Sequence, residues 1–171
     1  MSEAVRAAVV GAGSWGTALA ALLTRKGHEV TLWSFEDDVV RSVRRHRVNP
    51  YLDGVTLPDG LRCTADLAAA VKDAALVVSV SPSQFVGRVM RSAAPHMAPD
   101  ALVVSASKGI ELDTLRRMDE VLGEVLPPST MERFCVLSGP SFAAEVARGA
   151  PTAVVVAGRD GEAALRAQAL F

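Results

Sequence analysis

Short runs of consecutive apolar residues recur along the chain, each bounded by turn formers, and stretches of helical periodicity lie between them. Residues 5–10, 29–33, 61–64, 75–80, 101–105, 134–137 and 152–157 carry the apolar runs. Because they are apolar at successive positions rather than alternate ones, they suit strands of a parallel sheet covered on both faces. Leu19, Leu22 and Leu23 mark a helix from Ser14 to Lys26-Gly27, where glycine takes the left-handed cap. Val39, Val40 and Val43 mark another over 37–46, and Asp66 is placed to cap a short helix running through Val71. A helix over 84–94 stops before Pro95. Leu115, Met118, Val121, Leu122 and Val125 predict a helix over 114–126, ended by Pro127-Pro128. Two more follow, one out of the turn at Ser138–Ser141 with Ser141 as its cap, and one over 161–170. This alternation predicts an α/β fold, a doubly wound (Rossmann-type) and largely parallel sheet with helices on both faces, the first strand lying beside the switch point.

The first strand-to-helix turn is Gly11-Ala12-Gly13-Ser14-Trp15-Gly16. In a dinucleotide-binding turn the first glycine permits the tight bend, the second lets the backbone approach a pyrophosphate, and the third lets the helix sit close on the sheet. Any small turn can hold three glycines, so context carries the reading. An apolar strand precedes this one, a helix follows, and the acidic pair Glu36-Asp37 stands about 20 residues beyond Gly16, where ribose recognition is expected. The cofactor is therefore NAD or NADP. Glu36 and Asp37 would repel a 2′-phosphate, whereas Arg41, Arg44, Arg45 and Arg47 either form a solvated face or supply a cation for one.

Composition narrows the partners. A chain of 171 residues fits one domain, and no stretch rich in proline or serine divides it, so 1–171 reads as a single dinucleotide-binding domain. Half the residues are hydrophobic, yet no run approaches the roughly 18 uninterrupted apolar residues of a membrane span. No basic region precedes the apolar N-terminal run, so a signal peptide is not expected and a cytoplasmic location is. The formal charge of −1 gives no overall attraction to nucleic acid or anionic lipid. Cys63 and Cys135 sit far apart in apolar stretches and read as buried free thiols. His28, His46 and His96 lack zinc-ligand spacing and read as surface or helix-end residues, so no metal is expected.

Candidate chemistry gathers at strand ends. Lys108 lies between Ser107 and Gly109 just past a strand, where an ammonium can bind an anion or stabilise charge developing on a carbonyl oxygen. Phe35 and Phe85 follow two strands taken as neighbours and are placed either to flank a nucleotide or to fill core. Ser138-Gly139-Pro140-Ser141 opens a helix whose N-terminus is a second anion-friendly place. A nucleophile elbow and a kinase-type phosphate loop are both missing from the sequence.

Several motifs then fall in one order: Gly11–Ala18, Asn49-Pro50-Tyr51-Leu52, Ser81-Pro82-Ser83-Gln84-Phe85, Ser107-Lys108-Gly109-Ile110-Glu111, and Leu137–Ala143 with Glu145 and Pro151-Thr152. In these the chain resembles, over nearly its whole length, the N-terminal half of the NAD(P)-dependent glycerol-3-phosphate dehydrogenases. The resemblance implies reversible hydride transfer between a nicotinamide cofactor and dihydroxyacetone phosphate, giving sn-glycerol 3-phosphate for phospholipid synthesis. It implies cofactor contacts from Ser14, Trp15, Phe35, Phe85, Lys108 and Ala143, and contacts to a phosphorylated small-molecule substrate from Lys108, Gly139 and Ser141. Members of that family continue into a helical C-terminal domain with a second, proton-transferring lysine and an Arg-Asn pair, neither of which this sequence holds. The expectation is a nucleotide domain of a longer enzyme, homodimeric in one reading, that binds dinucleotide and turns over little by itself. A non-catalytic nucleotide sensor is the alternative, and the setting of Lys108 weighs against it.

Overall fold

The computed structural model describes residues 3–171. The elements in chain order are β1 (Arg6–Val10), α1 (Ser14–Arg25), β2 (Glu29–Trp33), α2 (Asp37–His46), β3 (Arg62–Thr64), α3 (Leu67–Val71), β4 (Leu76–Ser79), α4 (Ser83–Ala93), β5 (Leu102–Ser105), α5 (Met118–Gly123), α6 (Pro128–Glu132), β6 (Cys135–Ser138), α7 (Ala143–Ala147), β7 (Val155–Gly158) and α8 (Gly161–Leu170). The sheet order is β3-β2-β1-β4-β5-β6-β7. Strands β1 to β6 pair in parallel, and the order reverses direction between β1 and β4, which is the expected switch point.

The uninterrupted apolar runs are explained by burial on both sides. Ala7 and Val9 of β1 point into one apolar layer, with α1, α2 and α8, while Ala8 and Val10 point into the other, with α3, α4 and α5. Leu76 and Val78 against Val77 divide β4 the same way. Each fully buried valine or leucine contributes about 1.5–3 kcal/mol through the area it removes from water. The register sets Val10 beside both Trp33 and Ser79, so the carboxyl ends of β1, β2 and β4 form one ledge.

Four expectations need correction. The helix expected over 114–126 is confined to Met118–Gly123. Leu115 has φ 56° and is 71% exposed, and Arg117 becomes the cap, its N–H bonded to the Glu120 carboxylate. Leu115 lies on the loop between β5 and α5, while Met118, Val121 and Leu122 keep the buried helical face. Pro128 opens α6 instead of only ending a helix, because its fixed φ and missing N–H suit a first helical position. The last strand is Val155–Gly158 and runs antiparallel to β6. The chain reaches it through the five-residue α7 and the segment 148–154. His28 is buried rather than superficial. Its Nδ1 accepts the Val5 N–H at 3.3 Å, which leaves Nε2 to donate to Leu170 O at 3.1 Å, tying the entry of β1 to the end of α8.

Candidate dinucleotide site

The glycine turn divides into residues the protein needs small and one whose smallness serves nothing in the protein. Gly11 has φ +132°, and a Cβ there would stand 2.7 Å from the Ser81 amide nitrogen. A Cβ on Gly16 would stand 1.9 Å from Gly11 O. These two close β1 and α1 onto β4. Gly13 differs, since a Cβ there would meet nothing within 4 Å. It caps α1 without a side-chain bond, and the Thr17 N–H, bonded to Gly13 O at 3.0 Å, closes the first turn. The amides of Ser14, Trp15 and Gly16 thus stand without a side-chain cap at the positive end of a helix of 12 residues, a seat chemically suited to an anion, beside open space that a methyl on Gly13 would enter.

That seat opens into a cavity of about 480 Å³ walled by Gly13, Ser14, Phe35, Glu36, Tyr51 and Phe85. Phe35 is 79% exposed and Phe85 47%, which removes the core reading for both. They are not on neighbouring strands, as the sequence reading had it: β1 lies between β2 and β4, so the rings stand on the two sides of the glycine turn. Arg88 also borders the cavity, 5.3 Å from the centre of the Phe85 ring.

The loop after α2 plays a part that sequence reasoning had left without a role. Asn49 is buried, and its Nδ2 donates to Ala12 O at 2.9 Å and to Thr17 Oγ1 at 2.7 Å. Its Oδ1 accepts the Tyr51 N–H at 2.9 Å. Tyr51 Oη in turn donates to Glu36 Oε1 at 3.0 Å, and Ser34 Oγ donates to Glu36 Oε2 at 3.2 Å. The bond to Glu36, and then its charge, push the Tyr51 hydroxyl above its ordinary pKa. One loop therefore braces the glycine turn at one end and an acidic side chain at the other. The available signal was a polar amide among turn formers next to the chain's single tyrosine. Ser81, in a turn the sequence read as a candidate cofactor wall, does border the first cavity, and Ser107 stands beside Lys108. Ser81 Oγ donates to Val10 O at 3.1 Å and Ser107 Oγ to Ser81 O at 2.8 Å, which pins the exits of β1, β4 and β5 to one another.

A second cleft, of about 560 Å³, opens beside the first and is bordered by Trp15, Ser107, Lys108, Gly139 and Ser141. Lys108 Nζ lies 5.3 Å from the centre of the Trp15 ring and 3.4 Å from both Ser141 Oγ and Ser141 O. Those bonds are long, so the ammonium keeps donor capacity for another acceptor. Ser141 does not cap α7. The cap is Phe142, and Ser141 Oγ turns to Gly139 O at 3.4 Å instead. Ala143 opens α7, is half-buried, and borders neither cavity. Of the arginines of α2 and its end, Arg44 Nε donates to Cys63 O at 2.7 Å and Arg47 Nη1 to Leu61 O at 2.9 Å, and neither reaches the cavity wall. Cys63 and Cys135 are buried free thiols, Cys135 Sγ donating to Arg133 O at 3.6 Å, and desolvation pushes the Cys63 thiol up to about 11. Among the described residues no group of three His, Cys, Asp or Glu is placed to hold a metal ion, and no helix is long and apolar enough to cross a membrane.

Comparison with known proteins supplies the family. The model of the NAD-dependent glycerol-3-phosphate dehydrogenase N-terminus matches residues 6–164. A glycerol-3-phosphate dehydrogenase [NAD(P)+] of Geobacter metallireducens is 54% identical over 164 residues, covering 95% of this chain and 49% of the relative. One of Geobacter sulfurreducens is 50% identical over 172 residues, covering 100% and 51%. The crystal structure of glycerol-3-phosphate dehydrogenase from Coxiella burnetii superposes with a TM-score of 0.82 at 34% identity, over 93% of this chain and 48% of that one. The chain thus spans about half the length of the relatives it matches. A match over nearly every described residue, on a sheet whose carboxyl ledge carries an anion seat, an exposed aromatic pair and a lysine cleft, places this chain in the family of the NAD-dependent glycerol-3-phosphate dehydrogenase N-terminus.

Proposed function

We propose that this chain is the dinucleotide-binding domain of a glycerol-3-phosphate dehydrogenase, holding NAD or NADP against a carbonyl substrate that carries a phosphate. The observation that carries the reading is the open space over Gly13, where the protein leaves room it does not use beside amides that are not capped. In this reading the seat at Ser14 to Gly16 takes the pyrophosphate, Phe35 and Phe85 flank the adenosine end, and Trp15 leads toward the second cleft. The nicotinamide supplies or accepts the hydride. Lys108 donates to the substrate's carbonyl oxygen and stabilises the negative charge that grows there as the hydride arrives at the carbon. Gly139 and Ser141 border the place of the phosphorylated substrate. The proton that completes the alcohol comes from the lysine which the family resemblance assigns to a helical domain outside residues 1–171. Ala143, assigned a cofactor contact by the resemblance, packs against the same core cluster as Trp15.

The test is a titration of the chain with NADH and NADPH, read by energy transfer from Trp15 and Trp33 to the reduced nicotinamide. Saturable binding by at least one is expected, and absence of binding by both overturns the reading. Dihydroxyacetone phosphate added to the loaded chain should bind more weakly to K108M than to the wild type. Turnover by these 171 residues at the rate of a complete dehydrogenase would overturn the assignment of proton transfer to a separate domain, since general acid catalysis contributes about 10²–10⁴ in rate.

A further inference from the structure

Gln84 stands in the first turn of α4 next to Phe85, and no part of the reading above uses it. Its side-chain amide reaches across to the loop that carries Lys108. Nε2 donates to Ile110 O at 3.0 Å, and Oε1 accepts the Leu112 N–H at 2.9 Å. One planar amide thus grips residues 110–112 by a carbonyl and an N–H together, as a neighbouring strand would. Ser83 accepts the other Nε2 hydrogen at 3.0 Å and lies against Gly109, where a Cβ would stand 3.5 Å from its Oγ.

Little else ties this segment down. Ile110, Leu112 and Leu115 are exposed, so burial in the core does not fix the loop. Among the described residues, the remaining hydrogen bonds of residues 109–116 stay inside the loop or run to Glu124, just past α5. Gly109, with φ +94°, lets the backbone turn directly after Lys108. Lys108 therefore stands between two fixed points, Ser107 bonded to Ser81 O on one side and the Gln84 grip on the other. Its own contacts to Ser141 are long, so the aim of the ammonium comes from the backbone that carries it.

We propose that Gln84 is a positioning residue for Lys108. By holding residues 110–112 against α4, it sets the backbone from which the ammonium reaches past the Trp15 ring into the second cleft. The inference rests on the role proposed above for Lys108, and its first test needs no ligand.

Lys26, Lys72 and Lys108 are the lysines of the chain, so in protein labelled with ¹³C-lysine the ε-methylene signal that K108M removes belongs to Lys108. The Trp15 ring beside the ammonium displaces that signal from the other two. Q84M keeps the length of the side chain and removes both bonds to the loop. It is expected to move the Lys108 signal toward the positions of Lys26 and Lys72. NADH affinity should stay within about twofold of the wild type, since two exposed bonds outside the first cavity are all that is lost, whereas dihydroxyacetone phosphate should bind the NADH-loaded variant about three- to tenfold more weakly, as loss of one well-placed hydrogen bond gives. Gln84 is exposed, so Q84M should melt within a few degrees of the wild type. Q84E keeps the acceptor for the Leu112 N–H and loses the donor, and its Lys108 signal should move part of the way. A Lys108 signal left in place by Q84M overturns the proposal. So does NADH affinity that falls as far as the affinity for dihydroxyacetone phosphate, which would make Gln84 part of the cofactor wall. An NADH-loaded wild type that takes no dihydroxyacetone phosphate overturns the substrate reading of Lys108 instead, and the labelled signal still decides whether Gln84 aims it.

Discussion

The two glycines Gly13 and Gly16, three residues apart on one turn, are expected to respond to alanine in opposite ways. At Gly16 the new Cβ would stand 1.9 Å from the Gly11 carbonyl oxygen and 2.8 Å from a Val80 methyl. A backbone oxygen cannot rotate away as a side chain would, so α1 must lift from the sheet, at a cost of about 3 kcal/mol or more. For a domain of this length that lowers the melting temperature by about 6–12 °C. At Gly13 the Cβ meets nothing within 4 Å, and φ −68°, ψ −178° is a conformation alanine adopts freely. Loss of a preferred cap residue, about 1 kcal/mol, is offset by about 0.4–1 kcal/mol from the stiffer unfolded chain, so the melting point should barely move. The methyl nevertheless fills the space over the amides and holds an anion away from them. Losing one or two charge-assisted hydrogen bonds costs about 2–4 kcal/mol, which raises the NADH dissociation constant about 30- to 1000-fold. Thermal melts and fluorescence titration of the two variants read both quantities. G13A that melts like the wild type and also binds NADH like the wild type would refute the assignment of that space to a ligand.

Three further outcomes follow from named contacts. N49A strands Ala12 O and the Thr17 hydroxyl in the interior and should cost about 2 kcal/mol, seen as a fall of about 4–8 °C in melting temperature together with weaker NADH binding. H28A removes the link between Val5 and Leu170, and urea unfolding should show a loss of about 1–3 kcal/mol with no change in nucleotide affinity. The buried Cys63 thiol, with its pKa raised to about 11, adds stability that is complete below the unfolded value near 9. As pH rises from about 9 to 11 the unfolded chain loses the proton and the folded one does not, so up to about 2–3 kcal/mol disappears over that window. C63A should flatten the decline in melting temperature between those pH values.

Most of what forms the sheet was legible along the chain because it depends on local chemistry. Continuous runs such as Ala7–Val10 and Leu76–Val78 have no polar position to turn toward water, and only a strand covered on both faces accommodates that. The spacing of Gly11, Gly13 and Gly16 announced an anion seat for the same reason, since amides at a helix start need no partner from elsewhere in the chain. Local pattern failed where a distant contact overrode it. Leu115 keeps helical spacing with Met118, yet it is exposed and the helix begins only where Met118 finds core. The reversal of β7 against β6 had no counterpart in the local pattern, whose apolar run reads the same for either direction. In the site, sequence named Gly13, Phe35, Phe85 and Lys108, but only the folded chain could distinguish a glycine that packs from one that leaves room. Residues distant in sequence met only through the order of the strands: Asn49 under Ala12, Tyr51 against Glu36, and Lys108 between Trp15 and Ser141. Pairing of this kind depends on which strand ends lie side by side: β2 beside β1 for Asn49 and Tyr51, and β4, β5 and β6 on the other side of β1 for Lys108, Trp15 and Ser141.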